Sequence, residues 1–530
     1  MLLVRNIRLP LNCPDYEAEA ERQALRILHI PPGKAAHCGI SKLSVDARHG
    51  RPVLVITVAV TLKDEGEEPA LAGASPCVCF TKEPDFTFPV GKLPLSRRPV
   101  VVGLGPAGLF AALLLARYGY RPLILERGPA LEERVRAVER FEKTGELEEN
   151  ANIQFGEGGA GTFSDGKLTT RVGDPLCAFV TRALLEHGAP ADIAWRQKPH
   201  VGTDLLRDVI TSVRKEIERL GGEVCFNTAL TGLMTHGGKL CGIHTTGGDI
   251  ACEQLILAVG HSARDIFLML HDRGLPLECK PFSVGFRAEH LQSEIEKSLY
   301  HAAAGHPALP RGEYQLSQHI ADRCVYTFCM CPGGMVCAAA SEKGGVVTNG
   351  MSLHARDGQN ANAAVVVSVD GRDFDQEPLK AVQFQRELEQ AAFRAGGGSY
   401  QAPAETVGSF LDGRGALELK RVQPTYPRGV TACDLGALLP QELSSALRTG
   451  IAAFGRKLPA YQARDAVLTG LETRTSSPVR LLRGDNLQCT EMPGLWPCGE
   501  GAGYAGGIMT AAVDGVRCAA ALMAEYAPLE

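Results

Sequence analysis

A mostly apolar run, Val53–Leu62, has the length of a buried strand. Upstream of it, Leu2–Leu9 has strand character and Tyr16–Leu28 has helix-forming composition. Gly39–Ala47 is a further predicted strand, joined to the apolar run by the turn His49-Gly50-Arg51-Pro52. These elements predict a small α+β unit. Glu65–Pro69 breaks its pattern, and Pro84–Pro99 reads as an extended linker with the boundary near Arg97.

From Pro99 strands and helices alternate. Val100–Val102 is a short apolar strand, Gly105–Tyr118 an Ala/Leu-rich helix and Pro122–Leu125 a second strand. A charged helical stretch, Glu132–Glu148, leads into a glycine-rich segment, Gly156–Gly166. Leu205–Leu220 is predicted helical, and Gly222–Phe226 and Gln254–Val259 resemble strands. Residues 276–430 are less regular, and the chain closes with a strand, a glycine-rich turn and the helix Ile508–Glu525. Such alternation predicts a parallel sheet with helices on its faces.

Composition narrows the classes. The 530 residues exceed what one core usually supports, and 45% hydrophobic with 22% charged residues is ordinary for a globular protein. Lys and Arg number 55 against 60 Asp and Glu, a formal net charge of −5 that argues against nucleic acid or a membrane surface as the partner. Met1–Asn6 becomes charged at Arg5, too early for the apolar stretch of a signal peptide, and no apolar run approaches the ~20 residues of a membrane span. Seventeen scattered cysteines without a disulfide framework point to reduced thiols and a cytoplasmic location.

The strongest local motif is Val101-Val102-Gly103-Leu104-Gly105-Pro106-Ala107-Gly108, a G-x-G-x-x-G between a strand and a helix. Gly103 permits the tight turn, Gly105 lets backbone approach a pyrophosphate, and Gly108 allows close helix–strand packing. Pro106 and Ala107 open a helix whose free amides and dipole favour phosphate. Glu126 ends the second strand 21 residues after Gly105, where an acid accepting hydrogen bonds from a ribose belongs, with Arg127 beside it. FAD and NAD share this adenosine diphosphate, so the motif alone does not separate them. A ligand-free tight turn is the bland alternative.

Gly494-Leu495-Trp496-Pro497-Cys498-Gly499-Glu500-Gly501-Ala502-Gly503-Tyr504-Ala505-Gly506-Gly507-Ile508 makes the separation. This segment resembles the second FAD motif of the glutathione-reductase-like flavoproteins. The resemblance implies that Glu500 binds the ribityl chain or pyrophosphate, and that the helix from Ile508 points its N-terminus at the flavin. Gly499, Gly506 and Gly507 would admit backbone amides close to the cofactor. Leu255–Gly260 resembles the strand returning the chain to the FAD domain, a plain buried strand being the alternative. Closer still, Asn152–Leu168, Thr327–Gly334, Glu472–Pro478 and Lys42–Arg48 are similar to a family of uncharacterised bacterial FAD-dependent dehydrogenases, the NAD(FAD)-utilising dehydrogenase-like proteins. That family implies FAD and redox activity and names no substrate.

The fold class expected is therefore α/β, with a Rossmann-like FAD-binding domain, an inserted α+β substrate domain and a small N-terminal α+β domain. Residues 1–96 form the N-terminal domain and linker, 97–275 and 431–530 the two parts of the FAD domain, and 276–430 the substrate domain. In related flavoproteins the loop after the first βαβ unit wraps the flavin, which assigns Gly158, Gly159, Gly161, Ser164 and Lys167 to the cofactor. Lys167, Arg287 and Cys329 are the candidate catalytic residues. Arg287, His290 and Arg474 could orient an anionic substrate, although structural salt bridges explain each singly.

Cys324, Cys329, Cys331 and Cys337 cluster, but C-x4-C-x-C-x5-C lacks the paired C-x2-C spacings of structural zinc, and no metal is expected. On a regular strand Cys329 and Cys331 would share a face, as packing thiols or with a reactive Cys329 or Cys331 near the flavin. The dithiol of a flavin disulfide reductase is missing after the first βαβ unit. No second complete G-x-G-x-x-G follows a strand, so NAD(P)H could act only as a transiently docked electron donor. The activity expected is hydride transfer through flavin N5 to or from a small organic substrate. A flavin-dependent nucleic-acid modification enzyme and a flavin-binding redox sensor are the alternatives.

Overall fold

The computed structural model describes every residue except His49, Ala74, Arg171 and Glu530; the expected turn 49–52 thus falls partly outside the described residues. A five-stranded parallel sheet forms its centre, ordered Leu495–Pro497, Leu255–Leu257, Val100–Val102, Leu123–Leu125 and Glu223–Cys225. All but the last strand are wholly buried, as strands covered on both faces must be, and their sequences are accordingly apolar throughout. The helix Pro106–Arg117 is buried from Ala107 to Ala116, and it packs in one core with Thr203–Arg219 and Ile508–Glu525. Small residues set that packing. A Cβ on Gly515 would stand 2.0 Å from the Ala107 carbonyl oxygen.

A three-stranded antiparallel meander, Leu230–His236, Lys239–Thr245 and Gly248–Ala251, follows the last parallel strand and was not predicted. Its first turn holds Gly237 and Gly238, both at positive φ. Beyond it, Leu277–Cys279 pairs antiparallel with Val479–Leu481. The chain leaves the central layer and re-enters it through this two-stranded neck.

Between the two halves of the neck lies a seven-stranded sheet: Ser317–Ile320, Arg323–Cys331, Asn360–Val369, Phe282–Leu291, Val467–Glu472, Ala402–Thr406 and Val430–Ala432. Phe282–Leu291 and Asn360–Val369 are paired over their full lengths and are almost wholly buried. The helices Pro378–Ala395 and Gln441–Lys457 contribute to the same core. The inserted layer thus extends past the expected edge at residue 430. Val430–Ala432, Gln441–Lys457 and Val467–Glu472 belong to it because their apolar faces close its core, not that of the central sheet.

The N-terminal unit is an antiparallel sheet in the order Ala35–Asp46, Val53–Leu62, Leu2–Pro10, Val78–Phe80. It is backed by the helix Tyr16–Ile27, whose N-cap Asp15 accepts from the Ala18 amide at 2.9 Å. Alternate residues of Val53–Leu62 are buried, so the apolar run is a half-buried strand. The unit is tied to the body by backbone bonds between Leu43 and the Trp195–Gln197 segment at 2.7 and 2.9 Å. The linker over residues 81–92 holds no helix or strand; Phe86 and Phe88 anchor it edge-on against Phe179.

Candidate cofactor site

The turn after Val100–Val102 is built around Gly103, at φ 96°, where a Cβ would stand 2.5 Å from the Ala258 carbonyl oxygen. A Cβ on Gly108 would stand 1.8 Å from the Gly103 carbonyl oxygen, so this position serves packing. A Cβ on Gly105 would meet nothing closer than Gly159 Cα at 3.8 Å. Gly105 caps the helix without a side-chain hydrogen bond, leaving the first-turn amides directed outwards beside Pro106.

Glu126 is buried, and its carboxylate accepts from the amides of Leu104 and Gly128 at 2.9 Å and of Gly156 at 3.1 Å. One acid thereby ties the first glycine turn to the second. Of its ~four acceptor directions, one remains for a ligand hydroxyl. Arg127 turns aside, paired with Asp265 at 2.7 Å and lying 4.4 Å over the Phe155 ring.

The glycine-rich loop crosses the mouth of the fingerprint. Gly158 donates to the Leu104 carbonyl at 2.9 Å, a Cβ on Gly159 would stand 2.9 Å from Gly105 Cα, and one on Gly161 would stand 3.1 Å from Ile508 Cγ1 and 3.5 Å from Pro106 Cγ. Arg134, absent from the predicted set, fixes this loop. Its fully buried guanidinium donates to the carbonyls of Asn152, Ile153, Gly156 and Glu157 at 2.6–3.4 Å. Burial pulls its pKa down to about 9. Its signal was faint: one arginine in a charged, helix-forming stretch.

At the far edge, the Gly499 amide donates to Asp514 at 2.7 Å, and a Cβ on Gly499 would stand 2.6 Å from Ala107 Cβ. Gly501 lies against the Val259 carbonyl. By contrast, a Cβ on Gly260, Gly506 or Gly507 would find no heavy atom within 4 Å. All three are exposed; Gly506 and Gly507 lead into the 18-residue helix Ile508–Glu525, and the Gly260 carbonyl lies beside Gly501. Burial pushes the Glu500 carboxyl up to about 7, opposed by the charge of Lys280. The structure thus gathers Gly103–Gly108, Glu126, Gly158–Gly161, Gly260 and Gly499–Ile508 about two helix N-termini.

Expectations change at five residues. Ser164 Oγ donates to the Gly161 carbonyl at 2.7 Å and accepts from the Gly166 amide at 3.1 Å, which stabilises its own loop. Lys167 turns towards the inserted sheet, where its Nζ donates to the Met330 carbonyl and lies 3.5 Å from Glu313 and 3.9 Å from Asp165. Arg287 is fully buried and occupied: it holds Glu472 bidentately and donates to the Cys329 carbonyl at 2.8 Å, Asn349 at 3.0 Å and Asn362 at 3.2 Å. Arg474 shares Glu389 with Arg264, and His290 is buried against Tyr461, its ring centroids 4.5 Å apart. Arg287 and Arg474 are thus occupied by acids, and His290, whose ring nitrogens meet no hydrogen-bond partner, is sealed off by burial.

Among the described residues one set of potential metal donors converges, Cys498, Asp514 and Cys518. A cation already sits among them: Arg483 holds Asp514 at 2.6 and 3.0 Å and donates to Cys518 Sγ at 3.5 Å. The set is structural.

The FAD binding domain model matches residues 98–243, and the model for "FAD-dependent protein, C-terminal domain-like" matches residues 281–475. Together with the fold, these matches define the class: a FAD-dependent oxidoreductase. An uncharacterised protein of Clostridium beijerinckii is 44% identical over 528 residues, covering 99% of this chain and 98% of that one. The chain belongs to the same family as that protein. Among solved structures, it is similar to the L-amino acid deaminase from Proteus vulgaris (12% identity, 85% of this chain and 98% of that one, TM-score 0.32). It is similar too to the glycine oxidase from Bacillus cereus (11% identity, 81% and 98%, TM-score 0.33). Likeness at that level carries no information about the reaction. No helix among the described residues is long and apolar enough to cross a membrane.

Proposed function

We propose that this protein is a cytoplasmic dehydrogenase or reductase of the glutathione-reductase-like superfamily and of its NAD(FAD)-utilising dehydrogenase-like branch. Bound FAD supplies a hydride acceptor or donor at N5, and the substrate is a small organic molecule presented by the inserted sheet. The observation that carries the reading is the pair of helix N-termini entered through Gly105 and through Gly506–Gly507, where a Cβ would meet no atom closer than 3.8 Å.

The chain's own residues divide the work. Amides at Gly105–Gly108 receive the pyrophosphate, and the remaining acceptor direction of Glu126 takes a ribose hydroxyl, with Arg127 flanking the adenosine. Glu500, able to hold a proton near neutrality, both donates to and accepts from the ribityl chain or phosphate. The amides after Gly507 stabilise negative charge at the flavin's pyrimidine edge. Gly158, Gly159 and Gly161 bring the loop backbone against the cofactor, with Ser164 and Lys167 acting through the loop's conformation. That all seventeen cysteines are free supports a reducing compartment.

For the electron donor we propose NAD(P)H, docking transiently. A cleft of about 710 Å³ between the central layer and the insertion offers room for it, lined by Arg127, Arg264 and Arg386 together with their partners Asp265 and Glu342. The test is anaerobic titration of the purified protein with NADH, NADPH and candidate donors, followed by the flavin spectrum. Bleaching of bound flavin by a nicotinamide, and its return with an organic acceptor, is the expected result. A colourless protein that takes up no FAD overturns the whole reading.

A further inference from the structure

The strand Arg323–Cys331 is interrupted near its end. Phe328 stands opposite Ala364 and Cys331 opposite Asn362, so three steps on this strand meet two on its partner, and one residue is extra. The bulge places Cys329 at φ 44°, a conformation that non-glycine residues seldom occupy and that clusters at functional sites. Cys329 and Cys331 therefore do not share a face through simple alternation. The bulge folds the backbone so that the Cys331 thiol donates to the Cys329 carbonyl at 3.4 Å and lies against the Cys329 thiol. Cys329 is partly exposed, whereas Cys331 is buried behind it.

Ion-paired groups surround the two thiols where packing thiols would meet apolar neighbours: Arg287 with Glu472, and Lys167 with Glu313 and Asp165. Arg287 donates to the Cys329 carbonyl, and the Lys167 ammonium is bound to the intervening Met330 carbonyl. Asp165, Glu472, Cys337 and Tyr314 are the other titratable groups facing the pair. With its proton turned from the Cys329 carbonyl to the Cys329 sulfur, Cys331, followed by Arg287 and Lys167, makes Cys329 a stronger acid than an ordinary thiol, while Cys331 is made a weaker one. A half-buried cysteine of lowered pKa with a protonated thiol held behind it is the division of labour that thiol–disulfide exchange requires.

We propose that Cys329 and Cys331 form a dithiol that reduces small disulfides, Cys329 Sγ being the attacking nucleophile and Cys331 the resolving thiol. The Cys329 thiolate attacks one sulfur of the disulfide RSSR′, the S–S bond breaks, and RS⁻ leaves. Cys331 Sγ then attacks Cys329 Sγ, R′S⁻ departs and takes up the Cys331 proton. Two protein thiols are oxidised to a Cys329–Cys331 disulfide and one external disulfide is reduced to two thiols. Two equivalents of a small thiol return the pair. The pair supplies the dithiol that the segment after the first βαβ unit lacks.

The full-length protein, with its cofactor, is mixed under nitrogen with excess 5,5′-dithiobis(2-nitrobenzoate), and thionitrobenzoate release is followed. The wild type is expected to release two equivalents in a phase at least ~10-fold faster than its remaining cysteines react. Peptide mapping then shows Cys329 joined to Cys331. Cys331→Ser stops at one equivalent with the adduct on Cys329, and Cys329→Ser loses the fast phase. Lys167→Met moves the pH midpoint of the fast phase upwards, which a purely structural role would not do. A fast phase that survives in Cys329→Ser overturns the proposal. So does a wild-type map with a lasting adduct on Cys329 and no bond to Cys331, a result that needs no variant to fold.

Discussion

Glu500→Gln isolates one charge at the candidate cofactor site. The side chain lies where the strand Leu495–Pro497 ends, and burial pushes its carboxyl from an ordinary value of 4.5 up to about 7, against the pull of Lys280. Between pH 4.5 and 7 the unfolded chain therefore ionises Glu500 while the folded chain keeps the proton. Stability that is fully present below pH 4.5 is lost as pH rises through that window. At ~1.36 kcal/mol per pH unit, the loss amounts to about 3 kcal/mol in the apoprotein. Glutamine has no proton to lose. Relative to the wild type, the variant's unfolding free energy should rise by about 3 kcal/mol between pH 4 and pH 8. Urea unfolding of the apoprotein at several pH values measures this directly. In the same series, FAD affinity of the wild type should fall as pH rises through 7, because an ionised Glu500 opposes a phosphate-bearing ligand, whereas the variant should show no such step. A variant–wild-type difference that stays constant from pH 4 to pH 8 refutes the reasoning.

Glycine substitutions separate ligand contact from packing. Gly105→Ala and Gly506→Ala meet no close atom, so they should melt with the wild type and yet bind FAD at least ~10-fold more weakly. Gly108→Ala drives a methyl into the Gly103 carbonyl and should lower the melting temperature itself, as calorimetry would record. Glu389→Gln leaves Arg264 and Arg474 buried without their shared counter-charge and should cost about 3–5 kcal/mol in urea unfolding. His290, held neutral by burial with its pKa down to about 4, costs stability as pH falls from 6.5 towards 4. His290→Phe should flatten that acid limb by up to ~3 kcal/mol.

What the sequence made legible was local. Gly103, Gly105, Gly108 and Glu126 lie within one βαβ unit, where spacing fixes geometry, and Val53–Leu62 announced itself as a single apolar run. The meander at residues 230–251 escaped notice although Gly237-Gly238 is a two-residue hairpin turn, because its strands are short and partly polar. Charge partners were illegible for a different reason. Arg287 meets Glu472 across 185 residues, Arg264 meets Glu389 across 125, and Asp165 meets Arg356 across 191. No periodicity encodes such pairs, so an arginine that neutralises a buried acid looks like one waiting for a substrate. The bulge at Cys329 was equally hidden, since a one-residue register shift depends on the partner strand. The insertion's end at Val467–Glu472 was misjudged because a buried strand looks alike whichever sheet it joins.

The order of the central sheet has a consequence for how the molecule comes into being. Val102 and Leu495, in strands separated only by Leu255–Leu257, are 393 residues apart. At ~5–20 residues per second of translation, the first glycine turn waits roughly 20–80 s for the strand that closes its sheet and the helix that covers it. The inserted layer, closed by Val467–Glu472, has all its strands before then. During that interval Leu255–Leu257 is an apolar strand with one edge unpaired, the kind of edge that recruits other chains. The nascent protein is thus a finished cap on an unfinished cofactor domain, and its solubility during synthesis rests on how soon residues 495–525 are made.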